Sequence, residues 1–338
     1  MCREIKLISS ELKKSGKEPF VDTIYFGGGT PTLLTLSQFN QVFDSLKANF
    51  KIADNCEITT EANPKSIDRQ KLFALRELGF NRLSIGMQSA NDNELKALGR
   101  IHGFDDFRKI FGDARAAGFE NISADLMYGI PEQTKESFCH SIDALISMSP
   151  EHISSYCLTV EENTPFYKRR DSLALPSEDT VSDMYCLMSA RLAEHGYKKY
   201  EISNFSRIGY ESRHNNKYWL LDNYIGLGAS AHSCFDGIRF AHSRDIDAYI
   251  SGENTFEQIE ENDKRVQMNE YVMLGMRLCR GISFGEFKAR FKAEFLSEFD
   301  GLVKFAPEFV QVDKNGCRFT DKGMLVSNYI LSEVLDFS

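Results

Sequence analysis

Val21-Asp22-Thr23-Ile24-Tyr25-Phe26-Gly27-Gly28-Gly29-Thr30-Pro31-Thr32 runs a six-residue strand-like segment, five of its residues strand formers, straight into three glycines. β-Branched and aromatic residues suit a strand, while glycines let backbone approach a ligand closely. Thr30 adds a hydroxyl and Pro31 stiffens the exit, so Gly28, Gly29 and Thr30 are candidate ligand contacts at a strand end. A tight strand-to-helix turn explains the same residues without a ligand. The triplet matches neither the dinucleotide fingerprint nor the phosphate-loop lysine pattern.

Further along the chain, three more strand-like segments end in single polar residues, Glu61, Gln88 and Asp125. Residues at the carboxyl ends of parallel strands share one rim, where chemistry gathers. The segments between them carry apolar residues at helical spacing: Ile5, Ile8 and Leu12 within Arg3 to Lys14, then Phe39, Val42, Phe43 and Leu46. The alternation continues through a strand at Arg82 to Gly86, helix Phe107 to Ala117, strand Ile122 to Met127, helix Glu136 to Met148, strand Ile153 to Val160 and helix Val181 to His195. Lys199 to Ser203 reads as one more strand. This is the pattern of βα units winding into a curved parallel sheet or partial barrel, an α/β fold. Glu61 suits ribose hydroxyls or an ammonium group, Gln88 and Asp125 can share that task, and Arg100 can pair with a carboxylate. Together they suggest a polar, zwitterionic, ribose-bearing ligand.

Beyond the barrel the pattern loosens. His214-Asn215-Asn216-Lys217-Tyr218-Trp219 holds the single tryptophan beside a histidine, a tyrosine and two amides, in a segment without clear periodicity. The histidine can ligate a metal or haem iron, and it can equally pack with its aromatic neighbours. Tyr224 to His232 forms a second glycine-containing loop, with His232 and His242 as weaker candidates. Glu257 to Arg265 reads as a charged linker. Helices at Asn269 to Leu278 and Phe284 to Phe295 precede a short ribbon around Val310-Gln311-Val312 and Arg318-Phe319-Thr320, which suggests a small winged-helix-like domain. The division expected is 1–205, a connecting segment 206–262, and 263–338.

Composition bounds the function. The 338 residues are 42% hydrophobic and 26% charged with a net charge of -9, which leaves no broad basic surface for nucleic acid. Lys168-Arg169-Arg170 reads as a solvated loop. The chain shows no apolar run long enough to span a bilayer and no signal peptide, so a cytoplasmic location is expected. The eight cysteines are scattered and form no local metal knuckle, and most are expected to be small buried hydrophobes.

Gly27 to Thr32, Glu61-Ala62-Asn63-Pro64, Ser84-Ile85-Gly86-Met87-Gln88-Ser89, Arg100-Ile101-His102 and Asp125-Leu126-Met127-Tyr128-Gly129-Ile130-Pro131 resemble the radical S-adenosylmethionine proteins of the oxygen-independent coproporphyrinogen III oxidase group. The blocks stand in that family's order and spacing over nearly the whole chain. The resemblance implies a partial (βα)6-type barrel, here without its first strand, and a small C-terminal domain. It implies that Gly28, Gly29, Thr30, Glu61, Gln88, Arg100 and Asp125 contact S-adenosylmethionine. The pattern His214-Asn215-x-x-Tyr218-Trp219 is similar to the haem chaperone branch of that group. It implies His214 as a haem ligand, haem as cargo, and haem-accepting respiratory proteins as partners. Contact would be at the membrane periphery, without a membrane span.

The family's Cys-x-x-x-Cys-x-x-Cys motif, which holds a [4Fe-4S] cluster, has no counterpart in this sequence. By resemblance the motif belongs ahead of the helix at Arg3 to Lys14, so an absent N-terminal segment is the expectation and no cluster ligands are assigned. Whether the chain is an enzyme stays open. The alternatives are a coproporphyrinogen III dehydrogenase of porphyrin biosynthesis and a binding protein that has lost its cofactor.

Overall fold

The computed structural model describes residues 1–252, 256–261 and 263–336. The chain divides into two compact units, one of 21–41 and 52–211 and the other of 1–20, 42–51 and 212–338. In chain order the elements up to residue 211 are α1 (Cys2–Lys14), β1 (Phe20–Phe26), α2 (Leu36–Asn49), β2 (Lys51–Ala62), α3 (Arg69–Glu77), β3 (Arg82–Gln88), α4 (Asp92–Ala97), α5 (Phe104–Ala116), β4 (Ile122–Tyr128), α6 (Lys135–Met148), β5 (His152–Cys157), α7 (Glu178–Glu194), β6 (Lys198–Lys199) and β7 (Asn204–Ser206).

The first unit is built on a curled seven-stranded sheet in the order β1-β2-β3-β4-β5-β7-β6. Strands β2 to β5 pair in parallel, each reached through a helix, as the alternating pattern requires. Their apolar side chains are buried: Leu83, Ile85, Ile122, Ala124, Leu126 and Ile153 are all fully inaccessible. Phe26, Phe39 and Phe80 close one end of this core as a triangle with ring centroids 5.3 Å apart. Side-chain caps fix several helix starts, Asp68 on Lys71 N and Thr134 on Ser137 N among them.

The expected strand at Lys199 to Ser203 is instead a turn. Lys198–Lys199 and Asn204–Ser206 flank it as an antiparallel pair, and β7 also runs antiparallel to β5. Four residues are too few for a parallel crossover, so only antiparallel pairing closes there.

The second unit continues with α8 (Arg213–Leu220), β8 (His232–Phe235), β9 (Ile238–His242), α9 (Ile246–Ser251), β10 (Phe256–Glu261), α10 (Lys264–Gly275), β11 (Ile282–Ser283), α11 (Phe284–Phe291), α12 (Phe295–Glu298), β12 (Val310–Val312), β13 (Gly316–Phe319), α13 (Asp321–Leu325) and α14 (Ser327–Val334). The charged stretch read as a linker is therefore strand and helix. Phe256 to Glu261 pairs antiparallel with β9, and Asp263 caps α10 through Val266 N; residue 262 lies outside the described residues. Phe256-Glu257-Gln258-Ile259-Glu260-Glu261 has too few apolar residues to show a strand period in the sequence, which hid the strand.

At the C-terminal end, β11, β13 and β12 form a small antiparallel sheet, the wing expected beside helices. Its neighbouring core is aromatic, with Tyr271, Phe287, Phe291, Phe295 and Phe299 in contact at centroid distances of 4.9–6.1 Å. Gly281 is needed here: its φ is +67° and a Cβ would stand 2.1 Å from the Cys317 carbonyl oxygen.

Of the eight cysteines only Cys56, Cys234 and Cys317 are buried, fewer than expected. Burial pushes the Cys317 thiol up to about 12, so it stays protonated.

Candidate functional site

In the first unit the glycine loop meets Glu61 and Gln88 at the ends of β2 and β3, and Asp125, expected to end its strand, lies instead inside β4 with its side chain on the same face. Gly28 and Gly29 take φ of +76° and +65°, with open space where a Cβ would stand, and both are exposed. Gly27 lies against the site wall: a Cβ there would be 2.6 Å from the Tyr25 ring and 2.9 Å from Glu61 Oε1. The Tyr25 hydroxyl donates to Glu61 Oε1 at 3.0 Å, and the Asn63 amide lies 3.5 Å from Thr30 Oγ1.

Gln88 ends β3 with a left-handed backbone, φ +66°, and a register shift between Gly86 and Gln88. The bulge turns its buried side chain back across Gly86, where a Cβ would stand 2.6 Å from Gln88 Nε2. Gln88 Oε1 accepts from Tyr156 of β5 at 3.3 Å.

Register places Asp125 beside Gly86 on one side and Ser154 on the other, all on one face of the sheet. Ser84 Oγ donates to Asp125 Oδ1 at 3.0 Å. Burial raises the Asp125 carboxyl to about 6 and the nearby Glu61 charge adds to this, while the Ser84 hydrogen bond, Arg82 and Arg100 oppose it. Tyr156, 38% exposed, feels the charges of Asp125, Arg100 and Glu61, and burial of its hydroxyl holds that group well above its ordinary range. Burial and the Glu61 charge do the same for Tyr25.

The structure thus brings Gly28, Gly29, Thr30, Glu61, Gln88, Arg100 and Asp125 to one rim. It adds four residues that sequence reasoning missed: Tyr25, Asn63, Arg82 and Tyr156. Arg82 is buried to 1% exposure beneath the carboxylates, and its Nε finds no hydrogen-bond partner among the described residues. Deeper still, His152 bridges Ser123 Oγ (2.7 Å) and the Tyr200 hydroxyl (2.8 Å), and burial keeps its imidazole neutral. Glu201 sits fully buried in the turn before β7, accepting from Ser203 N at 3.1 Å, and burial raises its carboxyl to about 7. An arginine at the start of a strand and a glutamate between two apolar residues carried no signal of burial in the sequence.

In the second unit, His214 does not lie in an irregular segment: Arg213–Leu220 is a helix, started by the buried Ser212, whose Oγ accepts from Asn215 N at 3.2 Å. The i,i+4 spacing sets His214 against Tyr218, with Nε2 2.9 Å from the hydroxyl and the rings near perpendicular. Tyr218 meets Tyr224 edge to face at 4.6 Å.

The two weaker histidines have other places. His232 is exposed on β8, and Gly226 packs so closely on its carbonyl that the loop reads as a turn. His242 is buried, with Nε2 2.6 Å from Glu4 Oε1; Glu4 Oε2 also accepts from Tyr249 at 2.5 Å and Gly228 N at 3.2 Å. This network holds α1 to the hairpin of β8 and β9.

The chain has relatives that match it over most of its length. It is 35% identical over 333 residues to the haem chaperone HemW of Bacillus subtilis, covering 96% of this chain and 88% of the relative. The chain belongs to the HemW family. HemW of Lactococcus lactis is 32% identical over 323 residues, covering 93% of this chain and 84% of the relative. HemW of Escherichia coli is 35% identical over 263 residues, covering 75% and 69%. Residues 3–145 match the radical SAM superfamily and residues 262–326 the HemN C-terminal domain.

Among solved structures, the radical SAM enzyme coproporphyrinogen III oxidase HemN from E. coli superposes with a TM-score of 0.80 at 22% identity, covering 98% of this chain and 83% of that one. At that identity the likeness establishes the fold, a radical SAM barrel with a C-terminal domain. The [4Fe-4S] cluster expected from the family resemblance needs several cysteine thiolates at one place. Among the described residues no group of three histidine, cysteine or acidic side chains is placed to hold a metal, so the residues present do not fit a cluster.

Proposed function

We propose that this HemW-family chain carries haem as cargo, with His214 as the iron ligand, and binds S-adenosylmethionine at the rim formed by Gly28, Gly29, Thr30, Glu61, Gln88, Arg100 and Asp125. The observation that carries the reading is the relationship to haem chaperones over nearly the full chain, with His214 presented on a capped helix. A half-buried imidazole among aromatic rings suits an iron porphyrin: nitrogen for the metal and apolar edges for the macrocycle. The rim suits the nucleoside equally. Exposed glycine backbone can meet the amino-acid end, carboxylates can accept from ribose hydroxyls and the ammonium group, and Arg100 can pair the ligand carboxylate.

The haem would pass to acceptor proteins of the respiratory chain. No described helix is long and apolar enough to cross a membrane, so such acceptors would be met at the membrane surface.

Haemin titration followed by Soret absorbance tests the cargo site: His214→Ala should weaken binding at least tenfold, and an unchanged titration rejects the assignment. Equilibrium dialysis with S-adenosylmethionine tests the rim. Glu61→Ala and Asp125→Ala should each weaken binding about tenfold or more, the worth of one charge-assisted hydrogen bond.

A further inference from the structure

We propose that Tyr218 governs how tightly the protein holds haem, by competing with iron for the Nε2 atom of His214. The inference rests on His214 as the haem ligand and extends it to release. The Tyr218 hydroxyl lies 2.9 Å from His214 Nε2, at hydrogen-bond distance, with the two rings almost perpendicular.

Iron and a hydroxyl proton would use the same lone pair, so one excludes the other. If Nε2 carries the proton instead, that nitrogen donates to Tyr218 and must lose its proton before it can coordinate. Either way the contact breaks before the metal bonds through Nε2.

Geometry makes the competition repeatable. Tyr218 stands one turn along the same helix, so its hydroxyl needs no backbone rearrangement to return. The Tyr218 ring is backed by Tyr224 at 4.6 Å, which limits how far it can swing, and at 39% exposure it has room to yield when a ligand arrives. A carrier must surrender its cargo, and an internal partner for the vacated nitrogen lowers the cost of doing so.

The experiment uses the full chain as wild type, Tyr218→Phe, Tyr218→Leu, His214→Ala and the His214→Ala/Tyr218→Phe double variant, each checked for fold by circular dichroism. Haemin affinity is read from Soret titration, and release from the rate of transfer to apomyoglobin. Tyr218→Phe keeps the ring and its contact with Tyr224 while removing the hydroxyl.

That variant should bind haemin about 5-fold more tightly and release it correspondingly more slowly, the effect of one lost competing hydrogen bond. Tyr218→Leu should shift affinity in the same direction, and the gain should vanish in the His214→Ala background. Wild-type or weaker affinity in Tyr218→Phe overturns the competition. An unchanged titration for His214→Ala overturns the ligand assignment itself, which separates the two failures.

Discussion

Asp125 shows at the scale of one residue how a buried carboxyl in the proposed site is kept at a cost to the fold. Its carboxyl is raised to about 6 from an ordinary 3.8, chiefly by burial. The folded form therefore holds its proton to higher pH than the unfolded chain does, and stability from this group is lost as pH rises between about 4 and 6. Asp125→Asn, which still accepts from Ser84, should melt higher than wild type above pH 6. The gain should be about 1–3 kcal/mol, or several degrees, and disappear below pH 4. Scanning calorimetry from pH 4 to 8 would show it, and an Asn variant no more stable at pH 8 than wild type would contradict the burial argument. Glu61 and Gln88 were legible in the sequence as polar residues at the ends of β2 and β3, whereas Asp125 lies inside β4 rather than at its end and was legible as a lone carboxylate among the apolar residues of that strand. Tyr25 and Tyr156 were not, since an aromatic residue within a strand reads as core whichever face it takes.

At the scale of elements, the helix bearing His214 depends on its first turn. Only eight residues long, it has little intrinsic stability, and Ser212 supplies an otherwise missing partner for a backbone N–H. Ser212→Ala should cost about 1 kcal/mol in the unfolding free energy and, on the proposed role of His214, weaken haemin binding, because the imidazole loses its fixed direction. Urea unfolding and Soret titration on the same variant measure both; loss of stability with unaltered haemin affinity would separate the cap from the site. The signal for this helix was present in the sequence, a serine followed by Tyr218 four residues beyond His214, but polar residues on every face concealed its period. The strand at Phe256–Glu261 was hidden for a related reason. Its ladder pairs with β9 through backbone groups, which carry no trace in the side-chain pattern.

On the scale of the whole molecule, buried titratable groups set how stability responds to pH. Glu201 is raised to about 7 from an ordinary 4.5, so its contribution is lost as pH climbs from about 4.5 to 7. His152 acts oppositely: burial depresses its pKa, so its neutral form favours the fold above about 6.5 and stability falls as pH drops below that. Glu201→Gln should therefore gain about 1–3 kcal/mol over wild type at pH 8 and nothing at pH 4, measured by thermal melting across that range. A melting difference that does not change with pH would count against ionisation as its cause.

The order of apolar periods, glycines and strand-terminal polar residues determined by itself the parallel sheet, its rim and most of the residues gathered there, because strand alternation and helical spacing are local properties of a chain. Only the tertiary structure decided that Arg82, His152 and Glu201 lie buried. It alone also decided that Tyr156 reaches Gln88 and that Glu4 joins His242 across more than two hundred residues. Burial and hydrogen-bond partnership arise from segments distant in sequence, so no local pattern can encode them.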